Sequence, residues 1–156
     1  MHRFLYFASA FMKKIMNKIK MRSDCPLSFS LEIFGDKWSL LIIRDLLMVG
    51  KFSFSEFIGS KEKIASNILT DRLSVLESSG IISKQVSPKN KSKYIYSLTQ
   101  KGMDLLPVLI EIMRWGAKYN PDTPLPPKRI IQRFKEDKRG LIREYLENEK
   151  EQLKAG

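Results

Sequence analysis

The sequence predicts a mainly α-helical domain that carries one small antiparallel β-hairpin. Three observations lead there. Between residues 26 and 116 apolar residues recur at helical spacing in several successive stretches. Residues 81–98 alternate in the two-residue period of strands about a turn at Ser87-Pro88-Lys89-Asn90. The order matters most: in "IASNILTDRLSVLESSGIISKQVSPKNKSKYIYSLTQKG" a leucine-paced helix runs into two short strands that pinch off a lysine-rich tip.

The elements follow in order. Pro26 suits the first turn of a helix with Cys25 as its cap, and Leu27, Leu31 and Phe34 stripe one face until Gly35. Asp36 then caps a helix in which Trp38, Leu41, Ile42 and Leu46 repeat at i, i+3, i+4 and i+8, ending at Gly50. Ser53 with Glu56 three residues later is a capping box for a short third helix. After the turn at Gly59-Ser60, Leu69, Leu73 and Leu76 must face a core. Ser66, Asn67, Thr70, Asp71 and Ser74 are left on the opposite side. Gly80 ends this helix, and the hairpin follows, with Tyr94, Tyr96 and Leu98 expected on one apolar face. Thr99 starts another helix, which Pro107 should kink or restart after a short first turn.

A surface helix ordinarily presents long Lys and Glu side chains. Short polar ones let a helix backbone lie deep in a DNA major groove, where Asn pairs with adenine and Ser or Thr with any base edge. A merely solvated polar face is the competing reading, and the hairpin decides between them. Lys84, Lys89, Lys91 and Lys93 crowd it with no acid between them. A helix–turn–helix followed by a basic hairpin is a winged helix. Its helix reads bases while the lysines of the wing neutralise phosphates alongside.

Composition agrees. The chain has 156 residues, 43% hydrophobic and 29% charged, which suits a soluble globular domain. Its 28 Lys and Arg outnumber 17 Asp and Glu for a formal charge of +11, which points to a polyanionic partner. One cysteine excludes an intrachain disulfide and fits a reducing cytoplasm. A single histidine, His2, leaves no metal cluster, and the glycines form neither a dinucleotide fingerprint nor a phosphate loop. No catalysis, metal or cofactor is expected.

Composition also divides the chain. Residues 1–20 combine an apolar run from Phe4 to Phe11 with a following string of lysines. The charges stand on the wrong side for a secretory signal, and the run is too short to cross a bilayer. A loose or helical arm is expected, with a peripheral membrane or protein-interaction module as the rival reading of the whole chain. Residues 21–118 form the DNA-binding core, and residues 119–127, with four prolines, a linker. Residues 128–156 should form an amphipathic helix with Ile130, Phe134, Leu141 and Tyr145 on its apolar side.

"CPLSFSLEIFGDKWSLLIIRDLL", "FSFSEFIGSKEKIASNILTDRLSVLESSGII" and "YIYSLTQKGMDLLPVLIEIMRWG" resemble the HxlR-type winged helix–turn–helix transcriptional regulators over residues 24 to 118. The resemblance implies a homodimer on double-stranded operator DNA. It places Ser66, Asn67, Thr70 and Arg72 on the recognition helix and Lys89, Lys91 and Lys93 at the wing tip. Dimer contacts are implied from the first helix, through Leu27 and Leu31, and from the helix containing Leu105, Leu109, Ile112 and Met113. A stripe of Leu105, Leu109, Ile112, Met113 and Gly116, which so small a domain has limited surface to bury, supports this separately, with closure of the monomer core as the competing reading. Cys25 carries two readings. The dipole of a helix N-terminus favours a reactive thiolate, and some HxlR-type regulators sense oxidants or electrophiles through a cysteine at this place. The adjacent Asp24 opposes an anion there, and free cysteines are commonly buried packing residues. No small-molecule inducer is legible. The arm 1–20 and the chain beyond Lys128 lie outside the resemblance.

Overall fold

A computed structural model describes residues 22–124, 128–137, 139–141, 143–145, 147 and 151. The arm 1–20, part of the linker and the Phe134 side chain lie outside the described residues.

Pro26 opens helix α1, Pro26–Phe34. Its core side is Ile33, with Phe29 and Phe34 against it, whereas Leu27 and Leu31 stand exposed. The expected stripe is thus rotated by about one residue. Asp36 caps helix α2, Ser39–Arg44, as expected. Its Oδ1 accepts the Trp38 and Ser39 amides at 2.8 and 2.9 Å, and its Oδ2 accepts the Ser39 hydroxyl at 2.5 Å. The helix continues into a π-helical turn, Asp45–Val49, and stops at Gly50 with φ +74°. A side chain there would be strained, which explains the glycine. Ile43 and Leu46 are fully buried, while Trp38 is only partly so.

The capping box forms at helix α3, Phe54–Ile58. Glu56 Oε2 accepts the Phe52 and Ser53 amides at 2.9 and 2.8 Å. Helix α4, Ser66–Ser78, buries Leu69, Leu73 and Leu76 as predicted. Strands β1, Ile82–Val86, and β2, Tyr94–Leu98, pair antiparallel from Ile82↔Leu98 to Val86↔Tyr94. The Tyr96 amide also donates to the Phe52 carbonyl at 2.7 Å, which seats the hairpin on the entry to α3. Tyr96 and Leu98 reach the core, but Tyr94 does not. It lies past the core at the turn end of the hairpin, paired with Val86, with the Lys84 ammonium 4.0 Å from its ring centroid.

Thr99 caps helix α5, Gln100–Met103. Gly102 is required here, because a Cβ would sit 2.3 Å from the Ile81 carbonyl oxygen. Helix α6, Leu106–Tyr119, begins afresh with Pro107 in its first turn, so the proline restarts the helix rather than kinking it. Helix α7 spans Lys128–Glu136. The expected single last helix is interrupted at Asp137, whose carboxylate accepts the Gly140 amide at 2.8 Å. The chain then turns so that Glu144 pairs with Arg129 and Arg133, and Tyr145 packs against the main core. Among the described residues no helix is long and apolar enough to cross a membrane.

Candidate nucleic-acid interface

Helix α4 presents its reading side because its other side is committed to the core. Burial of Leu69, Leu73 and Leu76 forces Ser66, Asn67, Thr70, Asp71 and Ser74 outward, and all five are exposed. The Thr70 hydroxyl donates back to the Ser66 carbonyl at 2.9 Å, so its oxygen remains free to accept. Ile68 also stands partly exposed on this helix, the one large apolar side chain so placed there. An apolar contact of that kind suits a thymine methyl group. The sequence reading passed over it because isoleucine ordinarily signals core.

The helix is anchored at its entry by a buried charge network. Asp45, 3% exposed, accepts from Arg44 Nε at 3.0 Å and Nη2 at 2.6 Å through Oδ1. Its Oδ2 accepts from Lys51 Nζ at 2.9 Å and Ser60 Oγ at 2.7 Å. Arg44 continues to Glu62 at 2.6 Å. Burial alone would raise the Asp45 carboxyl, but the donors Ser60, Lys51 and Arg44 outweigh it and hold the group below its ordinary value. The network ties the end of α2 to the turn that feeds α4. At the other end Lys101 Nζ donates to the Ser79 carbonyl at 2.8 Å, and its burial pushes the ammonium down.

Arg72 departs from its expected place among the outward residues. Its guanidinium donates to Asp36 Oδ2 at 3.1 Å and to Asp71, so it turns toward the α1–α2 turn instead of away from the protein. Two lysines take positions the sequence reading missed. Lys61 and Lys63 are exposed in the turn before α4, and Lys63 adopts φ +53°, rare for a residue with a side chain. The available signal was two lysines within three residues, just ahead of the helix start.

At the wing, the Ser87 amide donates to the Lys93 carbonyl at 2.8 Å and the Lys93 amide to the Asn90 carbonyl at 2.9 Å, closing a tight tip. Lys89, Lys91 and Lys93 are exposed, and none takes part in an ion pair among the described residues. No group of acidic, His or Cys side chains there could hold a metal ion.

Helix α6 carries two apolar stripes. Leu106, Leu109 and Ile110 are buried, and Leu105 packs partly buried against the core. Leu105 and Leu109, expected at a dimer seam, therefore close the chain's own core. The outward stripe is Val108, Ile112, Trp115 and Tyr119 at i, i+4, i+7 and i+11, with Ile112 48% and Trp115 67% exposed. Met113 is half-buried between the two. Pro107, Val108, Glu111, Ile112 and Trp115 line an open hollow of about 570 Å³. Cys25 is exposed at the start of α1.

The model of the HxlR-like helix-turn-helix family matches residues 33–124. The chain belongs to the HxlR-like family. It is similar to the HTH-type transcriptional regulator YdeP of Bacillus subtilis, at 38% identity over 95 residues that cover 61% of this chain and 73% of YdeP. Among solved structures it resembles the redox regulator HypR in its oxidized form, with 33% identity and a TM-score of 0.54 over 60% of this chain and 96% of HypR. It also resembles the reduced form of the transcriptional regulator YodB from B. subtilis, with 33% identity and a TM-score of 0.51 over 65% of this chain and all of YodB. This HxlR-like chain is accordingly a transcriptional regulator of the helix-turn-helix type with a winged-helix fold.

Proposed function

We propose that the protein acts as a homodimer on an inverted-repeat operator, with α4 in the major groove and the wing lysines on the phosphate backbone. The observation that carries this reading is the exposed, small-polar face of α4 together with three exposed wing lysines that take part in no ion pair among the described residues. Ser66, Asn67 and Thr70 are the base readers, and Lys89, Lys91 and Lys93 the phosphate contacts. The outward faces of α1, with Leu27 and Leu31, and of α6, with Ile112 and Trp115, form the dimer seam. Such exposed apolar stripes on a small basic domain suit association with a second copy.

The two kinds of contact respond differently to mutation. Asn67→Ala is expected to cost about 1–3 kcal/mol at the cognate duplex and to flatten preference at one base pair per half-site. Lys91→Ala should weaken all sequences alike, because a lysine on phosphate carries no sequence information. It should also lower the slope of log K against log salt by about 2, one contact in each subunit. Fluorescence anisotropy across a salt series measures both. Base preference altered by Lys91→Ala, with Asn67→Ala acting only through salt, would exchange the two roles.

The exposure of Cys25 on the seam-forming helix α1, with HypR a redox regulator, supports a sensing role. Diamide should release DNA from the wild type and leave Cys25→Ser bound. The oxidised wild type should migrate as a disulfide-linked dimer on a non-reducing gel, since the chain has no second cysteine. Equal release of both proteins would remove Cys25 from the mechanism.

A further inference from the structure

We infer that Arg72 is a positioning residue for base reading and not a DNA contact: its ion pair with Asp36 fixes the roll of α4 against the α1–α2 turn. The inference rests on the DNA-reading role of α4 proposed above. Arg72 Nη1 reaches Asp36 Oδ2 at 3.1 Å across 36 residues of sequence, while Nε donates to Asp71 at 3.1 Å and Nη2 to the same oxygen. Asp36 is itself engaged on both oxygens. Its two oxygens already hold the Trp38 and Ser39 amides and the Ser39 hydroxyl, and those donors, against the opposing effect of burial, keep the carboxyl ionised below its ordinary value. Both side chains are about three-quarters withdrawn from water, at 25% and 26% exposure. A guanidinium so engaged would have to abandon Asp36 to reach a phosphate.

The geometry explains why a tether belongs there. Burying Leu69, Leu73 and Leu76 sets which side of the helix meets the core, and a side-chain pair at the edge of that stripe adds a restraint on the remaining freedom of roll. Arg72 sits beside Leu73, at the edge of that stripe, where a fixed partner blocks rotation. A side-chain tip about 6 Å from the helix axis moves by about 1 Å for a 10° roll. Hydrogen bonds to base edges do not tolerate that displacement. Asp36 follows directly after α1, so the pair also links the position of α1 to the reading face of α4.

The test uses the full chain with Arg72→Gln, Asp36→Asn and the double variant. Asn caps a helix as well as Asp, so Asp36→Asn removes the charge and keeps the cap. The probe is a duplex that the wild type selects from random-sequence DNA, and amide hydrogen exchange across α4 is followed without DNA. Each single variant should bind about tenfold more weakly with the salt slope unchanged and should exchange faster in α4, and the double should lose no more than either single. Asp36→Asn makes the protein more basic, so weaker binding by this variant is the mark of position over charge. Wild-type affinity in Asp36→Asn, together with a salt slope lower by about 2 in Arg72→Gln, would make Arg72 a phosphate contact and overturn the inference. Additive losses in the double would overturn it too. Should the wild type select no duplex, the DNA-reading role fails, and exchange alone decides the tether: coupled acceleration upholds it and unchanged exchange refutes it.

Discussion

Trp115→Glu is expected to convert the protein to a monomer at micromolar concentration and to weaken operator binding by more than a hundredfold. Trp115 stands 67% exposed in the stripe with Ile112 and Tyr119, its ring 5.2 Å from that of Tyr119. In a two-fold symmetric seam the same patch meets itself, so one substitution places two carboxylates in an apolar interface. An unpaired charge in such a place costs several kcal/mol. A monomer engages one half-site and loses the linked gain from the second. Because Trp115 faces away from the core, the subunit should stay folded, with its thermal midpoint lowered only by the lost contribution of association. Leu109→Glu, in the core, should unfold it instead. Sedimentation and thermal melting separate the two outcomes, and a Trp115→Glu protein that stays dimeric would move the seam off α6.

The largest loss of stability away from the hydrophobic core is expected from Asp45→Ala. Removing that carboxylate leaves Lys51 and Ser60 without their shared acceptor and Arg44 with Glu62 alone. Breaking a buried pair of this kind costs about 3 kcal/mol, at the lower end because Arg44 and Lys51 retain access to water. The pH dependence follows from the same contacts. The folded-state carboxyl of Asp45 lies below its unfolded value, so its contribution is complete above about pH 4 and is lost as pH falls through the folded value. Asp36, Glu56 and Glu62 are lowered in the same direction. Urea melts between pH 2.5 and 6 should show wild-type stability falling on the acid side. Asp45→Ala should start lower and fall less steeply. Equal slopes for the two proteins would contradict the role of the network.

Much of the winged helix was legible from local signals. The Asp36 cap, the Ser53–Glu56 box and the leucines of α4 each depend on residues a few positions apart, and each formed as read, whereas the hydrogen-bonded turn of the hairpin falls at Asn90–Lys93, one turn later than Ser87–Asn90. The other misses share the opposite property. Helix α6 is apolar on two sides, and periodicity alone cannot tell which stripe packs inward. The inward one proved to be Leu106, Leu109 and Ile110, which leaves Trp115, absent from the expected seam, on the outside. Arg72 looked like another outward polar residue because its partner Asp36 is 36 positions away. Tyr94 continued the alternation of its strand, but the core ends at Tyr96, two pairs before it. The break at Asp137 has a local cause, its cap on Gly140, which the amphipathic pattern obscured. The reading face of α4 was legible for a simple reason. Once three leucines are committed to the core, helix geometry decides what faces outward.

Selection from random-sequence DNA by the full-length wild-type chain tests the central claim most directly. Two recognition helices related by a dimer axis should recover an inverted repeat whose half-site centres lie about one helical turn, ~34 Å, apart, with two chains bound per duplex. Asn67 predicts an adenine within each half-site. Recovery of no enriched sequence, or of a single unrepeated half-site bound by one chain, would contradict the account.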